Sequence, residues 1–337
     1  MTTFKAMTWN VENLFRPQQD ATREEKERYH EKLSLLVGVI GELSPDVVAL
    51  EEVGGDGALE DLQAALDGTY PHREVSAFPD GRGIRVAFLS KHEVEEKEEV
   101  VEFPDGPALD INDITATGGA KPIDRMGRGA LRIRVAKESL RVDLIACHLK
   151  SKLLSFPRPW GTSFTPHDEG ERAQVAGIAL MKRTAEAVTL RMWVNRLLGS
   201  NDAVPLLLLG DLNDVPAAQT SLILNGPQGS QIGTLGFDRP DKGDAVRLFN
   251  LAPLIDEERR YSRIEDGRKE LIDQIIASAG FLPVAEESKK RRLPEEVDSY
   301  VDFRDRLPSV ENDPGEREGD VAPDHAPVVA SFDLPSA

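Results

Sequence analysis

Polar side chains that can bind a cation or move a proton follow several apolar runs of the sequence. TWNVEN carries Asn10, VVALEEV ends with two glutamates of which the second is Glu52, VDLIACHLKSK contains His148, and PLLLLGDLND contains Asp211 and Asn213. Short continuous apolar runs are typical of buried strands, and rigid strand ends are common positions for functional groups. Carboxylates, an amide and an imidazole at one sheet edge would suit a divalent cation and general acid–base chemistry.

The last candidate pair reverses this order. Asp324 and His325 precede the apolar run 328–332, so they reach the same edge only if that strand runs opposite to the others. This order favours mixed or antiparallel sheets over an all-parallel doubly wound fold. Asp273 lies inside the apolar run LIDQII, where a carboxylate is costly unless it is paired, and a histidine is its natural partner.

Each motif alone also has an ordinary explanation. A glutamate at a strand end is commonly a solvated rim residue, and GDLND is an adequate turn because Asp and Asn hydrogen-bond the backbone. Chance explains the complete ordered set poorly. The set comprises Asn10, Glu52, His148, Asp211 with Asn213, Asp273, and Asp324 with His325.

The elements that must position these residues are strands and helices that alternate along the chain. Apolar residues that recur near every third or fourth position predict helices over about residues 22–43 and 169–198. Eight apolar runs predict strands at residues 4–9, 47–50, 84–89, 131–135, 142–146, 206–209, 271–276 and 328–332. The fold class is therefore α/β or α+β, with helices covering sheet faces. Residues 104–128 and 311–323 are expected to be irregular, and the charged run 93–102 predicts an edge strand.

Composition excludes several classes of protein. The 337 residues are 40% hydrophobic and 30% charged, as in ordinary globular proteins, and 41 Lys and Arg against 59 Asp and Glu give a net charge of −18. Such acidity argues against a coat of positive charge for non-specific nucleic-acid binding, although a local basic groove remains open. The lone cysteine, Cys147, excludes a disulfide framework and a cysteine-rich zinc site. We expect one domain over residues 1–337, no membrane span or signal peptide, and a cytoplasmic location.

Short motifs along nearly the whole chain resemble the endonuclease/exonuclease/phosphatase (DNase I-like) superfamily. The matching stretches, in the order of the family, are TWNVENLF, LEEV, GIRVAFLSK, CHLKSK, GDLNDVP, LIDQII and APDHAPVVASF. The resemblance implies a four-layer α/β/β/α sandwich with two mixed, mainly antiparallel sheets, and metal-dependent hydrolysis of phosphate esters. HLKSK followed by ERAQ is most similar to a bacterial DNase I-like nuclease branch.

The sequence departs from the family pattern at three places. Glu12 stands where the family often has Asp, which keeps the charge and lengthens the side chain. Gln274 follows Asp273 where an aromatic residue or His is usual. Glu51 precedes Glu52, and because successive strand residues point to opposite faces, we expect one of them to bind metal, with the motif register favouring Glu52.

The set of oxygen donors without a cysteine ligand predicts Mg²⁺ or Mn²⁺ as the cofactor. We expect Glu52 to be the principal ligand, with Asn10 nearby and Asp324 completing the site. Further residues are expected to be catalytic. Asp211 would orient or deprotonate the attacking water, Asn213 would hold the phosphate or that water, His325 oriented by Asp273 would donate to phosphate oxygens, and His148 would bind or protonate near the leaving group.

Basic residues near these motifs offer a substrate surface. Lys150, Arg128 and Arg172 are the candidates for phosphate binding, with ordinary solvated charges as the alternative. Trp160 and Phe164 lie in a Pro-rich insertion and would either stack on a nucleobase or cover the core.

Three functions compete at this point. The first is a metal-dependent nuclease that cuts DNA, with RNA as a further substrate; no membrane and no obligate protein partner are expected. The second is a phosphatase or phosphodiesterase for a small molecule or lipid headgroup, which the acidity and the segment 311–320 beside Asp324 would suit better. The third is a binding module of the same fold without turnover.

Overall fold

The computed structural model describes residues 2–105, 109–199, 204–227, 229–239, 243–288, 290–301, 310, 317 and 321–334. The described residues form four α-helices: α1 (Arg23–Leu43), α2 (Asp56–Ala65), α3 (Glu169–Leu198) and α4 (Gln219–Asn225). Short 3-10 helices cover Asp244–Val246, Ala252–Leu254, Glu257–Arg259 and Ala279–Phe281. The strands are β1 (Thr2–Leu14), β2 (Val47–Val53), β3 (His72–Val75), β4 (Arg85–Ser90), β5 (Glu93–Glu102), β6 (Ile111–Ile114), β7 (Ala120–Ile123), β8 (Arg125–Lys137), β9 (Leu140–His148), β10 (Phe156–Arg158), β11 (Gly161–Ser163), β12 (Leu206–Asp211), β13 (Leu248–Asn250), β14 (Arg263–Glu265), β15 (Arg268–Glu270), β16 (Asp273–Ser278), β17 (Glu296–Ser299) and β18 (Val328–Leu334).

Two six-stranded sheets form the centre of the fold. The first has the order β17-β18-β1-β2-β4-β3 and the second β13-β16-β12-β9-β8-β5. Each contains a single parallel pair, β1 with β2 and β9 with β12, and its other pairs are antiparallel. The predicted antiparallel course of the last strand is confirmed, because β18 pairs antiparallel with β1.

The two sheets pack face to face, and a helix layer covers each outer face. The inter-sheet core includes Phe4, Val47, Leu144 and Leu207. A separate cluster joins Met7 and Trp9 of β1 to Leu36 and Ile40 of α1. On the opposite side, Ile145 of β9 and Leu208 of β12 pack with Leu190 of α3 and Leu224 of α4. The predicted four-layer sandwich is therefore confirmed. Because successive side chains of a strand point to opposite faces, every second residue of a central strand points into the space between the sheets.

Most element predictions are confirmed, and one is wrong. All eight predicted strands are present, both helices lie within a residue of their expected bounds, and β5 forms the charged edge of the second sheet. Residues 104–128 are not irregular throughout, because β6 and β7 pair as a small hairpin and β8 already begins at Arg125. The expected irregular segment 311–323 lies outside the described residues apart from Arg317 and residues 321–323. Within the described ranges, no helix has the length and apolar character needed to span a bilayer.

Candidate active site

Several polar residues of the site continue the inter-sheet faces of their strands. Leu207 and Leu209 of β12 lie in the inter-sheet core, and Asp211 is the next residue on that face. His148 follows Ala146 of β9 in the same way. Asn10 of β1, Glu51 of β2 and Asp273 of β16 occupy the corresponding positions in their strands. Polar side chains from both sheets therefore converge where the apolar core ends.

Asp211 is the centre of this convergence. Its direct neighbours in the sheet are His148 on the parallel strand and Asp273 on the antiparallel strand. Its Oδ2 atom accepts a hydrogen bond from Asn10 Nδ2 across the two sheets at 3.1 Å, and His148 Nε2 lies 3.3 Å away. Its Oδ1 accepts the Asn213 backbone N–H at 2.8 Å. Burial and the charge of Asp273 raise the pKa of Asp211 to about 7, although these hydrogen bonds favour the carboxylate.

Local backbone geometry explains the GDLND sequence, which contains Asp211 and Asn213. Gly210 has φ of 143°, and a Cβ there would lie 1.9 Å from the Cys147 carbonyl oxygen, so only glycine permits this approach of the strands. Asn213 has a left-handed φ of 52°, which Asn tolerates better than most residues. Its Nδ2 donates to the Leu149 carbonyl at 3.0 Å, which joins the turn to the HLKSK segment.

Asp273 and His325 form the buried pair that the sequence predicts. His325 Nδ1 lies 2.6 Å from Asp273 Oδ2, and the Ser262 hydroxyl donates to the same oxygen at 2.6 Å. Burial opposes a charge on His325, but the carboxylates of Asp273, Asp324 and Asp211 outweigh it and raise the pKa of the imidazole well above its ordinary value. The other Asp273 oxygen, Oδ1, is buried without a hydrogen-bond partner among the described residues. The pair therefore presents a charged imidazole beside Asp211.

His148 differs from His325 in its charge state. Burial, followed by the nearby charges of Arg128, His325 and Arg82, lowers the pKa of His148 well below its ordinary value. Nε2 of this neutral imidazole faces the Asp211 carboxylate, which can only accept a hydrogen bond. We therefore assign the ring proton to Nε2, which donates to Asp211.

The two neighbouring glutamates of β2 have different environments. Glu51 is fully buried, its Oε1 accepts the Thr8 hydroxyl at 2.9 Å, and burial with the charge of Asp273 raises its pKa well above the ordinary value. Glu52 has a left-handed φ of 64°, and the β2–β4 register shifts between Leu50 and Val53. This irregularity interrupts the alternation, so the carboxylate of Glu52 lies at the partly exposed edge of the site, where it accepts the Asn13 N–H at 3.1 Å.

Three acids, which we call the acidic rim, line this edge: Glu12, Glu52 and Asp324. The Glu12 carboxylate accepts the Asp324 backbone N–H at 3.2 Å and pairs with the buried guanidinium of Arg317. Lys32 of α1 donates to the Glu12 carbonyl, and although burial lowers the pKa of Lys32, the charges of all three acids oppose that change. The rim thus concentrates negative charge that nearby cations partly neutralise.

The donor chemistry at the rim fits Mg²⁺ or Mn²⁺. Asn10, Glu52 and Asp324 offer hard oxygen ligands, and the two acidic side chains are 13% and 17% exposed, so waters can complete a coordination shell. Asp211, Asp273 and His325 also bring ligand atoms within 4.8 Å of one another. In that second group, however, the 2.6 Å hydrogen bond of the pair engages the imidazole, and a charged imidazole repels a cation.

The basic residues expected to bind substrate are engaged in internal contacts. Arg128 is 9% exposed, donates to the His148 and Leu149 carbonyls, and pairs with Asp80 at 3.1 Å. Arg172 pairs with Glu169 in the first turn of α3.

Lys150 faces a side cavity. Its Nζ donates to the carbonyls of Ser151 and Leu153, and it lines a cavity of about 140 Å³. Burial and the charge of Lys182 lower the pKa of Lys150 to about 8. The substrate roles of these three basic residues stay predictions. Trp160 and Phe164 do not cover the core, because they are 79% and 66% exposed.

Sequence reasoning missed several residues around the site. Ser262 and Thr8 each hydrogen-bond a buried carboxylate, Lys32 and Arg317 face the acidic rim, and Arg82 lies 3.6 Å from Glu52. Thr8 is a polar residue inside the apolar run 4–9, and this was the one local signal for its role. The other four come from a helix or loops distant in sequence from their partners, where no local pattern identifies them.

Comparison with known proteins gives one family and one fold. The family model described as Endonuclease/Exonuclease/phosphatase family matches residues 7–290. No curated protein matches the chain in sequence at a significant level.

Solved structures with this fold include proteins of different kinds. Truncated TDP2 from Caenorhabditis elegans is 15% identical, with a TM-score of 0.55 over 98% of this chain and 97% of that one. A family protein from Bacteroides thetaiotaomicron is 16% identical, with a TM-score of 0.55 over 99% of both chains. A mannosyl-6-phosphatase from the same organism is 13% identical, with a TM-score of 0.54 over 97% of this chain and 98% of that one. At these identities the similarity establishes the fold alone.

Proposed function

The chain belongs to the endonuclease/exonuclease/phosphatase family of metal-dependent phosphoester hydrolases, and from that premise we propose that it is a nuclease that cuts DNA. The observation that carries the proposal is the convergence of Asn10, His148 and Asp211 with the Asp273–His325 pair at one end of both sheets. Phosphodiester hydrolysis needs a general base, donors to the phosphate oxygens and a counter-charge, and this group of residues can supply each of them.

The counter-charge would come from a divalent cation held at the edge of the site. Glu52 is the proposed principal ligand, with Asn10 and Asp324 beside it, and Mg²⁺ or Mn²⁺ is the proposed ion. When bound, the ion would neutralise negative charge that develops on the phosphate during attack.

Asp211 is the proposed general base. A carboxylate with a pKa near 7 can accept a proton from water at neutral pH, and three neighbouring groups, from Asn10, His148 and Asn213, hold its two oxygens in place. The sequence predicts that His148 binds or protonates near the leaving group. Its lowered pKa favours binding over protonation, and we propose that, as a neutral hydrogen-bond donor, it orients the Asp211 carboxylate. Asn213 would orient the water or the phosphate from the adjoining turn.

His325 is the proposed donor to the phosphate oxygens. Asp273 fixes the ring through Nδ1 and favours its charged form, which leaves Nε2 as a positively charged donor. A charge-assisted hydrogen bond strengthens as negative charge builds on the phosphate, so this contact favours the transition state over the ground state.

Cleavage of supercoiled plasmid by the purified protein tests the proposal. We expect nicking with Mg²⁺ or Mn²⁺, none with EDTA, and loss of nicking in Asp211→Asn, which keeps the size of the buried side chain. Equal nicking by that variant would mean that another site or a contaminant is responsible. No nicking with either ion would contradict the nuclease proposal.

A phosphatase or phosphodiesterase for a small phosphate ester is the second candidate. The net charge of −18, together with the internal contacts of Arg128 and Lys150, supports it, because a long polyanion gains less on such a surface. Salt separates the two candidates. The affinity for a polymer that contacts several phosphates falls steeply with salt concentration, whereas the affinity for a small ester changes little.

Three further expectations stay predictions. A non-catalytic binding module would show no turnover of any phosphate ester, and no thermal shift with Mg²⁺ or Mn²⁺ would favour it. The cytoplasmic location and the single domain over residues 1–337 are likewise proposed from the sequence.

A further inference from the structure

Arg82 lies in a loop that connects β3 to β4 at the edge of the candidate site. Its guanidinium is directed toward three groups at long distances: 3.6 Å to Glu52 Oε1, 3.5 Å to Asn13 Oδ1 and 3.5 Å to Asp80 Oδ2. The side chain is 54% exposed. An arginine with long contacts and an open face beside a proposed cation ligand can bind an anion at little cost in lost hydrogen bonds.

Hydrogen bonds within the loop fix the backbone at Arg82. Asp80 Oδ1 accepts the backbone N–H groups of Arg82 at 2.8 Å and Ile84 at 3.2 Å, and the Asp80 N–H donates to the Ile84 carbonyl at 3.0 Å. Gly83 has a φ of 93°, which closes the turn in a conformation that a side chain would strain. Only the side chain of Arg82 therefore needs to move in order to meet a ligand.

The Asp80 carboxylate contacts two arginines, Arg82 and Arg128, which have different environments. Its Oδ2 contacts Arg128 at 3.1 Å and Arg82 at 3.5 Å. Arg128 is buried and also donates to two backbone carbonyls, so its hydrogen bonds are committed to the fold. Within the described part of the chain, Arg82 donates to no backbone carbonyl. Its charge still reaches the interior, where it is one of the cations that lower the pKa of His148.

We propose that Arg82 binds the phosphate of the substrate, donating its forked N–H groups to two non-bridging oxygens at the edge of the site. This inference rests on the proposed phosphoester hydrolysis and names a substrate-binding residue for it. A cation bound at Glu52 would offset the negative charge that attracts Arg82. The guanidinium would then be free to turn toward the substrate. The planar fork of arginine matches two phosphate oxygens, which the point charge of lysine cannot do.

Phosphate binding without turnover is the first test. Isothermal titration of the Mg²⁺-loaded protein with inorganic phosphate should give at least tenfold weaker binding for Arg82→Ala than for wild type. Arg23→Ala is the matched control, because that arginine is 90% exposed on α1 and, within the described residues, forms an ion pair only with Glu27. Equal phosphate affinity in Arg82→Ala and wild type, or no phosphate binding by wild type, would overturn the inference.

Turnover and metal affinity complete the test. With bis(4-nitrophenyl) phosphate, Arg82→Ala should lose about 100-fold in kcat/KM, as for removal of one oxyanion donor, and Arg82→Lys should recover part of the loss. Mn²⁺ affinity of the metal-free protein should be unchanged or tighter in Arg82→Ala, because a cation beside Glu52 has been removed. A parallel loss of Mn²⁺ affinity would overturn the inference and make Arg82 a positioning residue for Glu52. Phosphate binding through Arg82 without hydrolysis of any ester would preserve the inference and refute the proposed function.

Discussion

Carboxylates lie at both ends of the paired sheets, buried at the candidate site and half-buried at the opposite end, and their partners differ. At the end opposite the candidate site, Asp46 precedes β2 and both of its oxygens are hydrogen-bonded. His92 Nε2 lies at 2.7 Å, Lys137 Nζ at 2.8 Å, and the Lys5 backbone N–H donates at 2.8 Å. Burial would raise the pKa of Asp46, but these contacts outweigh it and lower the pKa to about 2.

At the candidate site, buried polar atoms lack partners. Glu51 Oε2, Asp273 Oδ1 and His148 Nδ1 have no hydrogen bond within the described part of the chain. Burial and mutual repulsion raise the pKa of Glu51 and Asp211. Unpartnered buried groups cost stability, and they concentrate at functional sites where a ligand or cation completes them.

The difference separates two uses of acidic side chains. Lys137 of the second sheet also donates to the Thr3 carbonyl of the first, so the Asp46 cluster fastens the two sheets together. The site end leaves its acids under-neutralised, which keeps them available for chemistry. Mutations at the site should therefore change activity more than stability, and mutations in the Asp46 cluster should do the reverse.

The largest expected effect is that of Asp211→Asn. Loss of the proposed base should lower metal-dependent cleavage by ~10³ to 10⁴-fold, toward the upper range for general base catalysis. The free energy of unfolding should stay the same or increase, because a buried carboxylate is removed. Plasmid cleavage and urea unfolding measure the two quantities. A large loss of stability would mean that Asp211 is a structural residue like Asp46.

Asp273→Asn should have the next largest effect on activity. The amide cannot hold His325 in its charged form, so cleavage should fall by ~10²-fold and the pH optimum should move toward acid, where the unassisted imidazole is still protonated. Rates measured from pH 5 to 9 check the shift. An unchanged pH profile would contradict the proposed role of the pair.

Asp46→Asn should lower stability without lowering activity. The folded-state pKa of about 2 lies below the ordinary 3.8, so the folded state binds fewer protons and the carboxylate contributes stability above pH 4. That contribution, ~1 to 2 kcal/mol when solvent screening of this half-buried group is allowed for, should fall to a small remainder as the pH falls from about 4 to 2. Urea unfolding of both proteins at pH 7 and at pH 2.5 measures it. A difference at pH 2.5 as large as that at pH 7 would mean that packing, not charge, is responsible.

The smallest expected effect is on metal affinity in Glu52→Gln. Replacing the proposed principal ligand by an amide should weaken Mn²⁺ binding by at least ~10-fold, because even the loss of a residue that only hydrogen-bonds a metal ligand commonly has an effect of that size. Glu51→Gln is the matched control, because Glu51 is buried behind the rim and bonded to Thr8. Titration of metal-free protein with Mn²⁺ compares the two. A greater loss of affinity in Glu51→Gln than in Glu52→Gln would mean that Glu51, not Glu52, is the metal ligand.

Much of the fold and of the site could be predicted from the sequence. Short continuous apolar runs located the strands that carry Asn10, His148 and Asp211, because burial on both faces of a strand leaves a local apolar pattern in the chain. The cost of burying Asp273 alone predicted a histidine partner, and the position of His325 before β18 predicted an antiparallel strand. Each of these inferences needed only neighbours in sequence and the physics of burial.

Other features were decided by the tertiary structure alone. The left-handed backbone at Glu52 turns one of two adjacent glutamates to the rim and leaves Glu51 inside. Two arginines of similar sequence context, Arg82 and Arg128, share Asp80 but differ in exposure. These outcomes depend on strand registers, turns and partners tens to hundreds of residues apart, which no local pattern encodes. The sequence determined which chemical groups could meet, and only packing determined which of them face solvent and remain free to act.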